Sequence, residues 1–272
     1  MSTTKKLLIT GGDSFTDPRG SFYIKNGIKY VWADYVAKTL DFDLINVSRC
    51  GMGNEYINGK VIDAIEENID RDIVVMANWS AMNRTALWNY SFCDIRFSEK
   101  LKNNPMIDET DDEYNYYEEL HYEATTTLRR LWWSYIADKN YPECSKEDFW
   151  SSVVNVNLRN IYLLDKYCRL NNIPILHHRA LSIFSGVEWI LKNELNFQLR
   201  NRIIFNSRKN QYYKKIQKFK NVVGDPDLLK HGTACFDMYE KYFISKEEKH
   251  PNEKGHQLIA SSFVDKYIEL YS

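Results

Sequence analysis

Short apolar runs that alternate with helix-period segments constrain this chain more than any other feature. Lys6-Leu-Leu-Ile-Thr10 is an apolar run closed by Gly11-Gly12, the pattern of a buried strand feeding a tight turn. From about Tyr30 to Leu40, Val31, Tyr35, Val36 and Leu40 recur at helical spacing. Asp43-Leu-Ile-Asn-Val47 predicts a second strand, Glu55 to Ile69 a helix, and Asp72-Ile-Val-Val-Met76 a third strand. Such βαβαβ alternation predicts a parallel sheet with helices on both faces, because right-handed crossovers place them there.

The pattern resumes after an interruption. Residues from about Ser80 to Lys146 are rich in Asn, Asp, Glu and aromatic side chains, including Tyr114-Asn-Tyr-Tyr117 and Trp132-Trp133, and predict an inserted helical subdomain. A helix from about Asp148 to Asn171 follows, with Val153, Val156, Ile161, Leu164 and Cys168 as inward candidates. Ile173-Pro-Ile-Leu-His177 predicts the fourth strand, a less regular stretch covers about Leu181 to Lys241, and a last helix runs from about Pro251 to Tyr271. The whole of residues 1–272 is expected to form one decorated domain, and no internal repeat or low-complexity segment is present.

Composition narrows the function classes. Thirty-six basic and 37 acidic side chains leave no surplus charge to favour a nucleic acid or an anionic membrane surface. No apolar run approaches the roughly 18 to 20 residues of a spanning helix, and the first residues read as a strand, not a signal peptide, so a cytoplasmic protein is expected. The five cysteines, Cys50, Cys93, Cys144, Cys168 and Cys235, are dispersed, without a Cys-x-x-Cys pair, as expected of reduced thiols.

In open parallel sheets the ligand crevice lies at the carboxyl ends of the strands. Directly after the first strand stands Gly11-Gly12-Asp13-Ser14-Phe15-Thr16-Asp17, which presents a serine at that edge. Near the other terminus, His250-Pro251-Asn252-Glu253-Lys254-Gly255-His256 precedes an amphipathic helix with Ile259, Phe263, Tyr267 and Leu270 on one face. A serine hydroxyl needs a base within hydrogen-bond reach, and an imidazole gains from a carboxylate that orients it. A loop returning over the carboxyl edge would bring the two together.

Gly12-Asp13-Ser14 after the first strand and His250-Pro251-Asn252 before the last helix resemble the SGNH (GDSL-like) hydrolase family. The resemblance extends to the element order but does not cover the middle of the chain. It implies a three-layer α/β/α flavodoxin-like fold and a serine esterase acting through an acyl-enzyme, with Ser14 as nucleophile and His250 as general base. Glu247 stands where the family has an aspartate, with Glu248 its nearest rival. The family's oxyanion glycine falls in Asn46-Val-Ser-Arg-Cys-Gly-Met-Gly-Asn54, at Gly51 or alternatively Gly53, beside the Ser14 amide. The third family motif, Gly-x-Asn-Asp, is replaced by Ala77-Asn78-Trp79-Ser80-Ala81-Met82-Asn83, so the side-chain donor is Asn78, Ser80 or Asn83.

The expected substrate is a small or carbohydrate-linked ester, with no metal or organic cofactor. The altered third motif, Glu247 and the aromatic insertion also admit a degenerate glycan- or protein-binding module, and acyl transfer to a sugar hydroxyl would use the same triad. His177 and His178, adjacent on a strand, point to opposite faces and form no chelating pair, while His121 and His256 lack a metal-ligand spacing. Gly-x-Ser-x-Gly and the common nucleotide-binding glycine motifs are absent.

Overall fold

A computed structural model describes residues 5–50, 52–80, 146–179, 205–224, 240–245 and 250–272. Its elements are β1 (Leu7–Gly11), α1 (Ser21–Lys25), α2 (Trp32–Leu40), β2 (Asp43–Asn46), α3 (Asn54–Glu66) and β3 (Ile73–Trp79). They continue with α4 (Lys146–Leu170), β4 (Ile175–Arg179), α5 (Gln211–Ile216), β5 (Val222–Val223), a 3-10 turn (Glu240–Tyr242) and α6 (Glu253–Tyr271). The predicted insertion at about 80–146 lies, apart from Ser80 and Lys146, outside the described residues.

The five strands form one sheet in the order β2-β1-β3-β4-β5, and each neighbouring pair is parallel. This is the doubly wound order whose chain reverses direction between β1 and β3, so a crevice opens at their carboxyl ends. Alternation along the strands divides the core. Leu7 and Ile9, with Ile73, Val75, Ala77 and Trp79, pack on α3 through Ile57, Val61 and Ile65 and on α4 through Leu158, Ile161 and Leu164. Leu8, Val74, Met76 and Leu176 face the opposite way onto Trp32 and Val36 of α2 and Ile259 and Phe263 of α6. Both faces are therefore buried, which explains why β1 and β3 read as continuous apolar runs and not as alternating ones.

Several expectations shift in register. The inward face of α4 uses Val154 and Leu158 ahead of Ile161, Leu164 and Cys168, while Val156 is half-buried, so the first half of the helix turns inward at later positions than the expected Val153 and Val156; the Val153 side chain lies outside the described residues. β3 continues through Asn78 and Trp79, beyond its expected end at Met76, since both side chains are buried, Asn78 between Thr16 and His178 and Trp79 in the core with α3 and α4. β4 begins after Pro174, whose missing N–H suits a position outside the ladder. The last helix starts at Glu253. Asn252 caps it by accepting from the Gly255 N–H, and Pro251 pairs with Phe243 ahead of the cap instead of opening the first turn.

Candidate functional site

The turn carrying Ser14 is built by its neighbours. Asp13 is fully buried; its carboxylate accepts from the Phe15 N–H at 3.1 Å and the Ser80 hydroxyl at 2.8 Å, and its carbonyl accepts from the Thr16 and Asp17 N–H groups. The Ser14 N–H takes no part in these bonds. Thr16 folds back toward Gly12, where an added Cβ would stand 2.1 Å from the Thr16 hydroxyl oxygen, so residue 12 has room only for hydrogen. That oxygen accepts from the Trp32 indole at 3.1 Å and the Asn78 amide at 3.0 Å, which anchors the turn to α2 and β3 at once. Ser14 itself is 5% exposed at the carboxyl edge of β1.

The loop after β2 is laced onto the same turn. Asn46 donates to the Thr16 carbonyl at 2.8 Å, the Arg49 N–H to the Gly12 carbonyl at 3.2 Å, and the Cys50 N–H to Asp17 at 2.9 Å. Arg19 bridges the two segments by donating to the Asp17 carboxylate and to the Ser48 carbonyl. Gly51, the expected oxyanion glycine, lies outside the described residues, as do Glu247, Glu248 and Asn83. Gly53 serves as the N-cap of α3 in extended backbone.

Asn54 and Ser80 close the adjoining corner. The Asn54 side chain accepts from the Ser80 N–H at 2.8 Å and donates to its carbonyl at 3.2 Å, in the manner of a strand neighbour, and donates to Asn157 of α4 at 2.6 Å. Ser80 is thus committed through both its backbone and its hydroxyl. The Asn78 amide nitrogen donates to Thr16, and its oxygen meets His178 Nδ1 at 2.7 Å. Because Asn78 belongs to the strand, its side chain is held between the turn carrying Ser14 and β4.

His250 reaches the same edge from the far end of the chain. Its carbonyl accepts from the Ile244 N–H, and Asn252 donates to the Lys241 and Phe243 carbonyls at 2.8 and 2.9 Å, pinning the loop before α6. The His250 ring stacks on Phe15, the residue after the candidate nucleophile, with centroids 5.1 Å apart, and on Phe22 of α1 at 3.7 Å. No hydrogen bond joins Ser14 to His250 among the described residues.

The other histidines among the described residues are structural in their contacts. His177 and His178 point to opposite faces, as expected. His178 and His256 are fully buried; burial, with a smaller effect of Arg179, pushes His178 down to about 3, and burial, with a smaller effect of His250, does the same for His256. His256 Nδ1 accepts from the Trp32 N–H, so the proton sits on Nε2.

The Trp79 indole can only donate, so His177 Nδ1 accepts from it and His177 Nε2 donates to Asp165 at 3.2 Å. Burial alone would raise the Asp165 carboxyl, but hydrogen bonds from His177, Arg169 and Asn221 outweigh it and hold the group below its ordinary range. Asp165→Ala leaves the His177 N–H without its acceptor and opens space between α4 and β4. Each orphaned buried donor costs about 1–3 kcal/mol, and the half-exposed Arg169 pair adds little, so a loss of about 3 kcal/mol is expected in urea unfolding. Asp165→Asn, which keeps an acceptor oxygen, should lose clearly less. Equal midpoints for Asp165→Ala and the parent would contradict this arrangement.

The chain matches no family model and no curated protein. Solved structures similar to it include the psychrotrophic esterase EstA from Pseudoalteromonas sp., with 13% identity over 97% of each chain and a TM-score of 0.45. An acetylxylan esterase from Geobacillus stearothermophilus, Axe2, shares 13% identity over 98% of this chain and 96% of its own, with a TM-score of 0.44. An α/β hydrolase from the metagenome of Lake Arreo, LAE5, shares 12% identity over 98% and 97%, with a TM-score of 0.40. Asp13, Thr16 and Asn54 as the residues that fix the turn, and Phe22 beside His250, do not stand out in the sequence. The Gly12-to-Thr16 interval of one helical turn was the available signal for Thr16; nothing in the sequence pointed to Phe22.

Proposed function

We propose that the protein is a serine esterase that cleaves a small or carbohydrate-linked ester at the carboxyl edge of β1 and β3. The observation that carries the reading is the meeting of the two terminal motifs: the Phe15 ring, adjacent to Ser14, stacks on the His250 ring across some 235 residues of sequence. A serine on a rigid turn beside an imidazole is the pairing that acyl transfer requires.

In this mechanism His250 removes the Ser14 proton as Oγ bonds to the acyl carbon and the carbonyl electron pair moves onto oxygen. The Ser14 N–H, unused within its turn, and the Gly51 N–H receive that oxyanion, with the second N–H of the Asn78 amide as a third donor. Collapse of the intermediate expels the alcohol, which takes the proton from His250, and water activated by the same ring then releases the acid and restores Ser14. Glu247 is the proposed acceptor for the other imidazole N–H.

Buried neighbours give Ser14 a fixed position, and preorganised donors act on charge that develops only in the transition state. Turnover of p-nitrophenyl esters, compared with release of acetate from acetylated oligosaccharides, tests the reading. Hydrolysis of either class supports it. Glycan binding with no hydrolysis of any ester contradicts it.

A further inference from the structure

We infer that Phe22 is a positioning residue for the base and favours the protonated form of His250 that arises during acyl transfer; this rests on the esterase reading above. Helix α1, which the sequence pattern did not reveal, brings the Phe22 ring to a centroid distance of 3.7 Å from the His250 ring at an interplanar angle of 20°. Phe15 lies near-parallel to the same imidazole at 5.1 Å and 29°, and Tyr23 meets it edge-on at 6.0 Å.

The placement is supported from behind. Phe22 packs in a T-shape on Tyr23 at 4.4 Å, and Tyr23 is fully buried in the core formed with α2 and α6. It also depends on residue 20, where a Cβ would stand 2.5 Å from Phe22 Cζ, so the ring occupies space that only a glycine leaves open.

The chemistry follows from the sign of the charge. In its base form an imidazole carries no net charge, and its stacking on phenyl rings is ordinary van der Waals contact. As the Ser14 Oγ–H bond breaks and the proton passes to the imidazole nitrogen, the ring becomes a cation within 6 Å of two aromatic centroids. The negative face of a phenyl ring attracts such a cation. The attraction is therefore stronger in the transition state than in the ground state, the condition for an interaction to accelerate the chemistry. It would supplement a carboxylate that comes from a glutamate in place of the shorter aspartate.

The test compares Phe22→Leu with Phe22→Tyr on p-nitrophenyl acetate. Leu keeps apolar bulk but removes the π face; Tyr keeps the face. For Phe22→Leu we expect kcat and kcat/KM to fall together by about 5- to 30-fold with KM unchanged, and for Phe22→Tyr a value within about twofold of the parent. A purely structural role for the ring predicts no such difference between variants of equal thermal stability. Wild-type kcat in Phe22→Leu, or equal losses in the Leu and Tyr variants, would overturn the inference. Should Phe22→Leu not fold, Gly20→Ala displaces the ring without removing it; an undiminished kcat there overturns the inference, and a reduced one supports it. A protein in which His250→Ala is inactive while Phe22→Leu is fully active loses this inference alone, whereas full activity in His250→Ala removes the esterase reading beneath it.

Discussion

His250→Ala is expected to lower kcat/KM for p-nitrophenyl acetate by about 10⁴-fold while leaving the far-ultraviolet circular dichroism unchanged. The magnitude follows from the role proposed for His250 as general base, since a serine hydroxyl unassisted at neutral pH retains only the acceleration due to binding and oxyanion donors. The fold should survive because the ring is only half-buried and the loop is held by main-chain atoms and by Asn252. The His250 carbonyl that accepts from Ile244 is retained in alanine. Full turnover in this variant would remove His250 as the base.

A loss of about 4 kcal/mol in unfolding free energy is expected between pH 7 and pH 5, before most carboxylates titrate. His178 and His256 are each pushed down to about 3 by burial, so neither takes up a proton in the folded protein in this range. In the unfolded chain both have ordinary values near about 6.5 and become protonated as the pH falls. The unfolded state then binds more protons, and stability declines with falling pH by up to about 1.4 kcal/mol per unit for each ring. The contribution is fully present above the unfolded value and is lost progressively as pH drops toward 3. Urea midpoints that stay constant from pH 7 to pH 5 would show that the two rings take up protons in the folded protein as readily as in the unfolded chain.

How far the sequence reveals this molecule depends on the element. β1 and β3 are buried on both faces, so unbroken apolar runs between turn residues marked them with little ambiguity. α2 and α6 showed their helical period because each has one face on the sheet and one in water. By contrast α1 spans five residues and β5 two, too short for any period to emerge, and both fell in stretches read as irregular or as connection. The error at Asn78 has a related cause. A polar residue after Asp72-Ile-Val-Val-Met76 signals a strand end only if its side chain reaches solvent, and here Thr16 and His178 satisfy it inside the protein.

Within the candidate site, the residues proposed to carry chemistry are more legible than those that hold them. Ser14 and His250 stand in short motifs next to predicted element boundaries. Asp13, Thr16 and Asn54 act through side-chain contacts with residues 16 to 103 positions away, such as Thr16 with Trp32, Asp13 with Ser80 and Asn54 with Asn157, which no local pattern encodes. Phe22 meets a histidine from the opposite end of the chain. Long-range pairing is what the fold adds to the sequence, and it accounts for the difference between naming a nucleophile and describing the turn that presents it.

The central claim, that Ser14 is an activated nucleophile, is tested most directly by treating the protein with a fluorophosphonate probe and locating the adduct by peptide mass spectrometry. The account predicts a single phosphonylated peptide containing Ser14, with labelling lost in Ser14→Ala and strongly slowed in His250→Ala. Labelling that persists unchanged in Ser14→Ala would contradict it.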